Sequence, residues 1–527
     1  MGIEPAVRPV FDRRWAIVQW ILLSAIAFWA FEPAGDSWFV RDDFMLLEQA
    51  DRHLEQPLEI LFDRSNGYFR PLSNLTLALE WSLFGTDAAA YYAISFALQG
   101  LVALLLALLA TQLSGSRAIG WLAGAAVVAS SRSSTMVLWI SAQPALLSTA
   151  LILATVLIHA RRLRPDSARP DLLVAAGAAG AVLSYEIGVA VFPLLVWIEL
   201  HRSGVRVLLD RRFWLRYVPL ILIGGLYVAV QGGSIEEWNS RGEFTLAQMA
   251  IAPALSLPAV FGATLWPSPV QGSSVPPGFG AFALSGLLVL TVLGDRRGWR
   301  DALLLVAISF TTLLPFALPL AAASADGGMI VDRYLYLPAI GSGLTLAFGV
   351  GRLLAIVPPV RTPLAVGIGL ALAFVHGRAI HTRVPEQQQF AVVGRAALAF
   401  VEGVDELASS RPPRAGERWL VLAAPFVNAK HAGAAYRHFL DQAPVEVEQE
   451  RITLERNGSP TSDRTRITAS LLTNRDVDRV LVYDPQRERL LEGQDATDPL
   501  VREALRFNWR RRDQPLRAAW IATLTFD

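Results

Sequence analysis

The sequence predicts an all-α polytopic membrane protein of about eleven transmembrane helices, followed by a small C-terminal α/β soluble domain. Three observations carry that expectation. Of 527 residues, 53% are hydrophobic and only 18% charged, where a soluble globular protein is usually about 25% charged; mean hydropathy is +0.39. Uncharged stretches recur along the first two thirds of the chain at close to the roughly 20 residues that a helix needs to cross a bilayer core. After residue 377 the pattern changes, and charged residues are spread throughout. The 47 basic and 46 acidic side chains leave a net charge of +1, so the global balance points to no nucleic acid or acidic polymer. Cysteine is absent, which excludes disulfides, thiolate metal sites and cysteine nucleophiles. Lys430 is the sole lysine, an arginine skew typical of a GC-rich bacterial genome.

The uncharged stretches fall at 15–31, 90–113, 118–131, 142–160, 172–184, 187–198, 217–231, 246–266, 281–294, 302–320, 334–351 and 362–375. Glu32-Pro33 follows the first where a cleaved signal peptide would show small residues, so this stretch is expected to remain as a span. Short stretches in a large bundle tilt or are buried among neighbours. Orientation follows from arginine, which collects in cytoplasmic loops. Arg8, Arg13 and Arg14 precede the first span; Arg161, Arg162, Arg164 and Arg169 follow the fourth; Arg202, Arg206, Arg211, Arg212 and Arg216 follow the sixth. All lie inside if the N-terminus is cytoplasmic. To keep Arg296, Arg297, Arg300 and Arg352 inside as well, 246–266 must be re-entrant or lie along the outer surface, which leaves 267–279 outside. The expected organisation is a multi-span domain at 1–377 in the bacterial inner (cytoplasmic) membrane, with an outer loop at 32–88, and a periplasmic domain at 378–527. In that tail the pattern predicts helices at 386–407, 429–440 and 498–507 and strands at 419–423, 445–454 and 480–483.

The strongest chemical signal lies in the outer loop, where Asp42 and Asp43 stand side by side beside the membrane, with Phe69-Arg70-Pro71-Leu72 at the loop's far end. Mutual repulsion in a partly apolar setting can raise one carboxylate's pKa and make it a proton acceptor near neutral pH. An Asp pair can equally cap a helix. The apolar Phe44-Met-Leu-Leu run after the pair reads as an interfacial helix, so one carboxylate is expected to cap it while the other faces a cavity.

Five stretches occur in the order seen in a known family: Asp42-Asp43-Phe44; Phe69-Arg70-Pro71-Leu72 through Leu83-Phe84-Gly85; Trp139-Ile140; Leu183-Ser184-Tyr185-Glu186; and Asp332-Arg333-Tyr334-Leu335-Tyr336-Leu337-Pro338. On these residues the chain resembles the GT-C membrane glycosyltransferases, in particular bacterial relatives of the transmembrane tetratricopeptide-repeat O-mannosyltransferases and of the dolichyl-phosphate-mannose protein mannosyltransferases. The likeness covers about residues 15–375. It departs at Gln99, where relatives often carry His, at Arg132 to Met136 in place of a histidine-proline turn, and at Tyr185, where lysine is common. No 34-residue repeat is present in the tail.

The resemblance implies transfer of a sugar from a polyprenyl-phosphate donor to an extracytoplasmic acceptor, with no cofactor. Such a donor carries its own leaving group. The displacement needs chiefly a base for the acceptor hydroxyl and positive charge for the departing phosphate, and a single displacement inverts the anomeric carbon. The resemblance makes Asp42 or Asp43 the base, and adjacency alone does not choose between them. Arg70 and Arg333 stand where an outer loop meets a span and could bind phosphate oxygens in bidentate fashion, or could rest at the interface without a ligand. Glu186, between apolar segments, could pair with an arginine or bind sugar or acceptor hydroxyls. Asp332 and Tyr334 belong to the same substrate-side motif, although a tyrosine there also suits the aromatic belt. The histidines show no metal-ligand spacing and no glycine loop has the setting of a nucleotide site, so neither metal nor nucleotide-sugar is expected. A transporter or flippase would show repeats and mid-span charges. The remaining alternative is an inactive GT-C scaffold presenting the tail as a binding module.

Overall fold

The computed structural model describes residues 13–412 apart from 36, 41, 66, 132–133, 164–166, 240–245, 268–277, 294–297, 318–319, 321–331, 358–359 and 388, and beyond them only the tail strands. Helix α1 (Arg13–Phe31) leads through a 3-10 turn and an extended stretch at 37–40 into α2 (Asp42–Glu55). A second 3-10 turn (Pro57–Leu61) and a small antiparallel hairpin, β1 (Arg64–Ser65) with β2 (Tyr68–Phe69), then reach α3 (Pro71–Phe84). The bundle continues as α4 (Ala88–Ser114), α5 (Arg117–Val128), the short α6 (Ser134–Leu138), α7 (Gln143–Arg162), α8 (Leu172–Ser184), α9 (Val191–Ser203), α10 (Arg211–Asn239), α11 (Leu246–Leu265), α12 (Phe279–Leu293), α13 (Gly298–Leu313), α14 (Tyr336–Leu353) and α15 (Arg361–Gln387).

This is an all-helical polytopic membrane fold. Among the described residues, seven helices are long and apolar enough to cross a membrane: Arg14–Ala34, Ala88–Ser114, Ile140–Arg162, Arg211–Gln231, Gly298–Phe316, Tyr336–Ile356 and Arg361–Thr382. The stretches at 118–131, 172–184, 246–266 and 281–294 form shorter apolar helices. The stretch at 187–198 is broken at its start by the 3-10 turn Glu186–Ala190 that precedes α9. Helix starts follow the local sequence: Asp87 caps α4 by accepting from the Ala89 amide, Ser116 caps α5, and Asp171 caps α8 by accepting from the Leu173 and Val174 amides. Gly115 ends α4 in the left-handed conformation.

α4 lies at the centre, packed on α1, α5 and α7. Its buried Gln99 donates to the carbonyls of Val127 and Val128, at 2.9 and 3.1 Å, and accepts from the Tyr336 hydroxyl at 2.8 Å. The amide thus satisfies C-terminal carbonyls of α5 and ties them to α14.

Polar side chains collect at the two ends of the bundle. One end gathers the loop after α1, the α5–α7 connection, the α8–α9 break and the turn before α14. The opposite end carries most of the bundle's arginines, and several of them are engaged with neighbours. Arg216 pairs with Glu199 and donates to the Ser167 carbonyl; Arg202 donates to the Ala160 carbonyl; Arg162 lies 3.4 Å from Asp171; Asp301 bridges His201 and Arg352 at 2.9 and 2.7 Å. α10 starts at the arginine end and reaches the other, where Arg64 donates to the Val230 carbonyl at 2.9 Å. The last turn of α11 lies at that same end, since the Trp266 carbonyl faces the Ser131 hydroxyl at 3.5 Å.

α15 runs past residue 377 to Gln387, so the change of composition falls within a continuous helix, and α16 (Gln389–Ser410) follows. In the tail, β3 (Arg418–Leu422) pairs in parallel with β4 (Glu446–Gln449) and β7 (Arg479–Asp484), while β8 (Arg489–Gly493) adds antiparallel to β7. Two short strands, β5 (Leu454–Glu455) and β6 (Arg466–Ile467), make a separate pair. The helices predicted at 429–440 and 498–507 lie outside the described residues.

Candidate active site

α2 is amphipathic, and its spacing turns Asp43, Phe44, Leu47, Ala50 and His53 to the bundle. Asp43 sits in the first turn with 1% of its surface exposed. One carboxylate oxygen accepts from the Val40 amide at 2.9 Å, the reach-back geometry of a capping box. The other accepts from the Ser141 amide at 2.7 Å and from the Ser141 hydroxyl. Asp43 therefore caps α2 and latches it to the turn after Trp139. No cation pairs with it in these contacts. Burial pushes its pKa up to about 7 despite the lowering effect of the three donors, with the charge on Asp42 adding to the rise. Asp42, on the adjoining position, is half-exposed. The two carboxylates that sequence could not tell apart are thus in different settings.

Below α2, Asp63 knits the loop to itself. It accepts from Gln49 at 2.7 Å, Arg52 at 2.5 Å and the Arg64 amide, and meets the buried His53 ring at 3.1 Å. Burial acts to raise the Asp63 pKa, but these donors, with the charge of Arg52, outweigh it and hold the carboxyl below its ordinary value.

Arg70 precedes α3 and is nearly buried, with 11% of its side chain exposed. Its Nε and Nη2 donate to the two oxygens of Glu186 at 3.0 and 2.9 Å, a bidentate fork. The guanidinium lies between two rings, 4.4 Å from the Tyr68 centroid and 4.2 Å from that of Tyr185. Of the two roles open to Glu186, pairing with an arginine is what the geometry holds. The pairing uses the Nε and Nη2 edge of the guanidinium. Two further contacts fasten this loop end: Phe69 donates its amide to Gln231 at 3.1 Å, and Ser73 donates to the Ser184 carbonyl. Gly188 permits the sharp turn after Glu186, because a Cβ there would lie 2.3 Å from the Ala181 carbonyl oxygen.

Asp332 and Arg333 lie in a 3-10 turn (Asp332–Leu335) whose backbone packs near α6; their side chains fall outside the described residues. The Tyr334 ring meets Phe316 at 5.4 Å. The five motifs, which span residues 42–338, meet at one end of the bundle: Asp43 touches Ser141, Arg70 touches Glu186, the 186–190 turn packs on 314–316, and α6 packs on 332–335.

Sequence reasoning missed Glu80. It is buried on α3 beside Gln143, one of its oxygens has no hydrogen-bond partner, and burial pushes its pKa up to about 8. An acid within the otherwise apolar Leu-Ala-Leu-Glu-Trp stretch was the available signal. Among the described residues, no three His, Asp or Glu side chains gather closely enough to hold a metal ion.

No family model and no curated protein matches the chain. Among solved structures, it is similar to ArnT from Cupriavidus metallidurans bound to undecaprenyl phosphate, at 13% identity and TM-score 0.47 over 82% of this chain and 90% of that one. It is similar to the apo state of the same protein at 14% identity and TM-score 0.47, over 82% and 86%. A third similar structure is the Archaeoglobus fulgidus oligosaccharyltransferase tethered with an acceptor peptide, at 12% identity and TM-score 0.46 over 89% of this chain and 69% of that one.

Proposed function

We propose that this protein is a GT-C-type glycosyltransferase that moves a sugar from a polyprenyl-phosphate donor to the hydroxyl of an extracytoplasmic acceptor. The observation that carries the reading is the convergence of five sequence-distant motifs at the end of the bundle opposite the arginines. Positive charge gathers on the cytoplasmic side, so the carboxylate end faces outward, where lipid-linked donors present their sugars.

Asp42 is the base in this reading, because it is half-exposed and within reach of an acceptor hydroxyl, whereas Asp43 is buried. Asp42 takes the proton of the acceptor hydroxyl, that oxygen bonds to the anomeric carbon, and the bond from the carbon to the phosphate oxygen breaks with inversion. The phosphate leaves on its lipid carrying the negative charge. Arg333 is assigned to that charge, with Arg70, one edge of which is already neutralised by Glu186, in the lesser part. Asp332 and Tyr334 stand on the same turn and belong to the substrate side.

A transporter reading finds less support: in the seven candidate spans the charged side chains lie near the ends, such as Glu32, Arg161, Arg211, Asp301, Arg352 and Arg378. The test is purified full-length protein in proteoliposomes with a panel of radiolabelled undecaprenyl-phosphate sugars and a periplasmic extract as acceptor. Labelled acceptor and free undecaprenyl phosphate are expected. Translocation of an intact labelled lipid, or a folded protein that cleaves no donor in the panel, would overturn the proposal.

A further inference from the structure

The extended stretch at 37–40 delivers the chain to Asp42 and Asp43, and Trp38 is gripped within it from several sides. The Tyr92 hydroxyl, from α4, donates to the Trp38 carbonyl at 3.1 Å. The Trp38 ring meets Phe39 and Phe44 at 5.5 and 5.7 Å, and Phe44 follows Asp43 directly. The remaining side is closed by the tail. α16 comes so near that a Cβ on Gly394 would stand 2.7 Å from the Trp38 nitrogen and 2.8 Å from its carbonyl oxygen. Both are backbone atoms that no rotamer change can move aside. Farther along the same helix, Gly403 makes a comparable approach to Leu490 of β8, away from the carboxylate stretch. One helix thus touches the tail sheet at one position and the approach to the carboxylates at another.

We propose that Gly394 is a positioning residue: by letting α16 lie directly on the Trp38 backbone, it makes the tail a splint that sets the Asp42–Asp43 turn. This deepens the glycosyltransferase reading and assigns the tail a part in transfer rather than a separate binding role. The residue touches no substrate and acts through Trp38 alone. A chain displaced at Trp38 carries Asp43 away from Ser141, admits water to its carboxyl and moves the neighbouring Asp42 relative to the acceptor. Misplacement of about 1 Å at a reacting group can cost on the order of a hundredfold in rate.

The substitution Gly394→Ala discriminates, because alanine favours a helix over glycine. Were α16 not lying on the Trp38 backbone, alanine at 394 would be neutral or stabilising. Hydrogen exchange of the full-length protein in micelles is expected to speed up by about tenfold or more at 37–44 in Gly394→Ala. In Gly403→Ala the effect should appear at 489–493 and leave 37–44 as in the wild type. The protonated carboxyl band of Asp43, isolated by infrared difference against Asp43→Asn, should have its midpoint moved toward the ordinary carboxylate range in Gly394→Ala only. With whichever undecaprenyl-phosphate sugar the wild type turns over, kcat should fall by about tenfold or more while the donor KM stays within about twofold. If the wild type turns over no donor, the transferase reading fails, and exchange and infrared still decide the positioning role. Unchanged exchange and an unchanged carboxyl midpoint in Gly394→Ala would overturn the proposal. Equal loosening of 37–44 by Gly403→Ala would do so too, since the tail would then act only as a whole.

Discussion

The two ends of the bundle handle buried acids in opposite ways. At the arginine end each acid described above faces a cation: Glu199 meets Arg216, and Asp301 sits between His201 and Arg352. At the other end Asp43 is held by two backbone amides and a serine hydroxyl, and Glu80 lies beside an amide side chain. An acid paired with a guanidinium ties helices together and serves architecture. An acid buried among neutral donors rises toward neutral pH, where it can exchange a proton. Arg70 with Glu186 and Arg52 with Asp63 are the exceptions, ionic clamps built into the carboxylate end to hold the loop.

The largest effect that could break this comparison is all-or-none. If the two ends face opposite compartments, alkaline phosphatase fused after Asp527 should be active and a green fluorescent protein fused there dark. The reverse pattern would put Asp42 and Asp43 in the cytoplasm and end the proposed chemistry.

Next is the base. Asp42→Asn should lower turnover by at least about a hundredfold, the usual scale for one general base, with the protein still expressed and folded. Asp43→Asn should act differently. Its amide would turn a donor toward the donors of Val40 or Ser141, so yield and melting temperature should fall together with activity. Full activity in Asp42→Asn would move the base assignment elsewhere.

The raised Asp43 pKa has its own signature. The folded protein holds a proton between about pH 4 and 7 that the unfolded chain releases, so this residue makes stability fall as pH rises through that window and level off above it. Glu80, pushed up to about 8, adds a slope of the same sign. Asp63 is held down and contributes only at lower pH, where its stabilisation is lost as the pH falls. Melting temperature followed from pH 4.5 to 8.5 in wild type and Asp43→Asn should differ most below pH 7. Parallel curves would show that Asp43 titrates normally.

What was legible in the sequence follows the range of the forces involved. Spans such as 90–113 and 142–160 stand out because membrane crossing is decided locally, by the apolar content of some twenty consecutive residues. The capping of α2 by one of two adjacent aspartates was legible as well, but not which one. That choice rests on Ser141, 98 residues away. Likewise the pairing of Arg70 with Glu186 spans 116 residues and that of Gln99 with Tyr336 spans 237. Long-range polar pairing leaves little periodic trace. Glu80 went unnoticed because a single acid in an apolar helix reads equally well as an exposed one.

The Arg70 clamp offers a smaller effect and a sharper one. Arg70→Lys keeps the charge but loses the two-donor fork and the stacking between Tyr68 and Tyr185. It should cost about 1.5–3 kcal/mol of stability, the scale for hydrogen bonds to charged groups, and weaken undecaprenyl phosphate binding only slightly. Arg333→Lys should do the reverse, weakening the lipid phosphate and sparing the melting temperature. If Arg70→Lys weakened phosphate binding more than Arg333→Lys, Arg70 would hold the greater part of the phosphate.

The smallest expected effect tests whether the arginine end is architecture throughout. Arg162 faces Asp171 at 3.4 Å with 55% of its side chain exposed, whereas Arg216 and Glu199 are almost wholly enclosed. An exposed pair gains little in water and is screened by salt, so Arg162→Ala should change stability by no more than about 1 kcal/mol, and less as salt is raised. Asp171 also caps α8 through the Leu173 and Val174 amides, and it keeps that role without the arginine. Arg216→Ala leaves Glu199 buried without its partner, for which about 3–5 kcal/mol is the usual cost. Thermal unfolding of the two variants at low and high salt separates the cases. Equal losses would mean that solvent does not reach the Arg162 pair and that this end is packed more tightly than its exposure implies. The ordered result would place the ionic architecture in the Glu199 and Asp301 pairs, leaving the outermost arginines to carry orientation rather than stability.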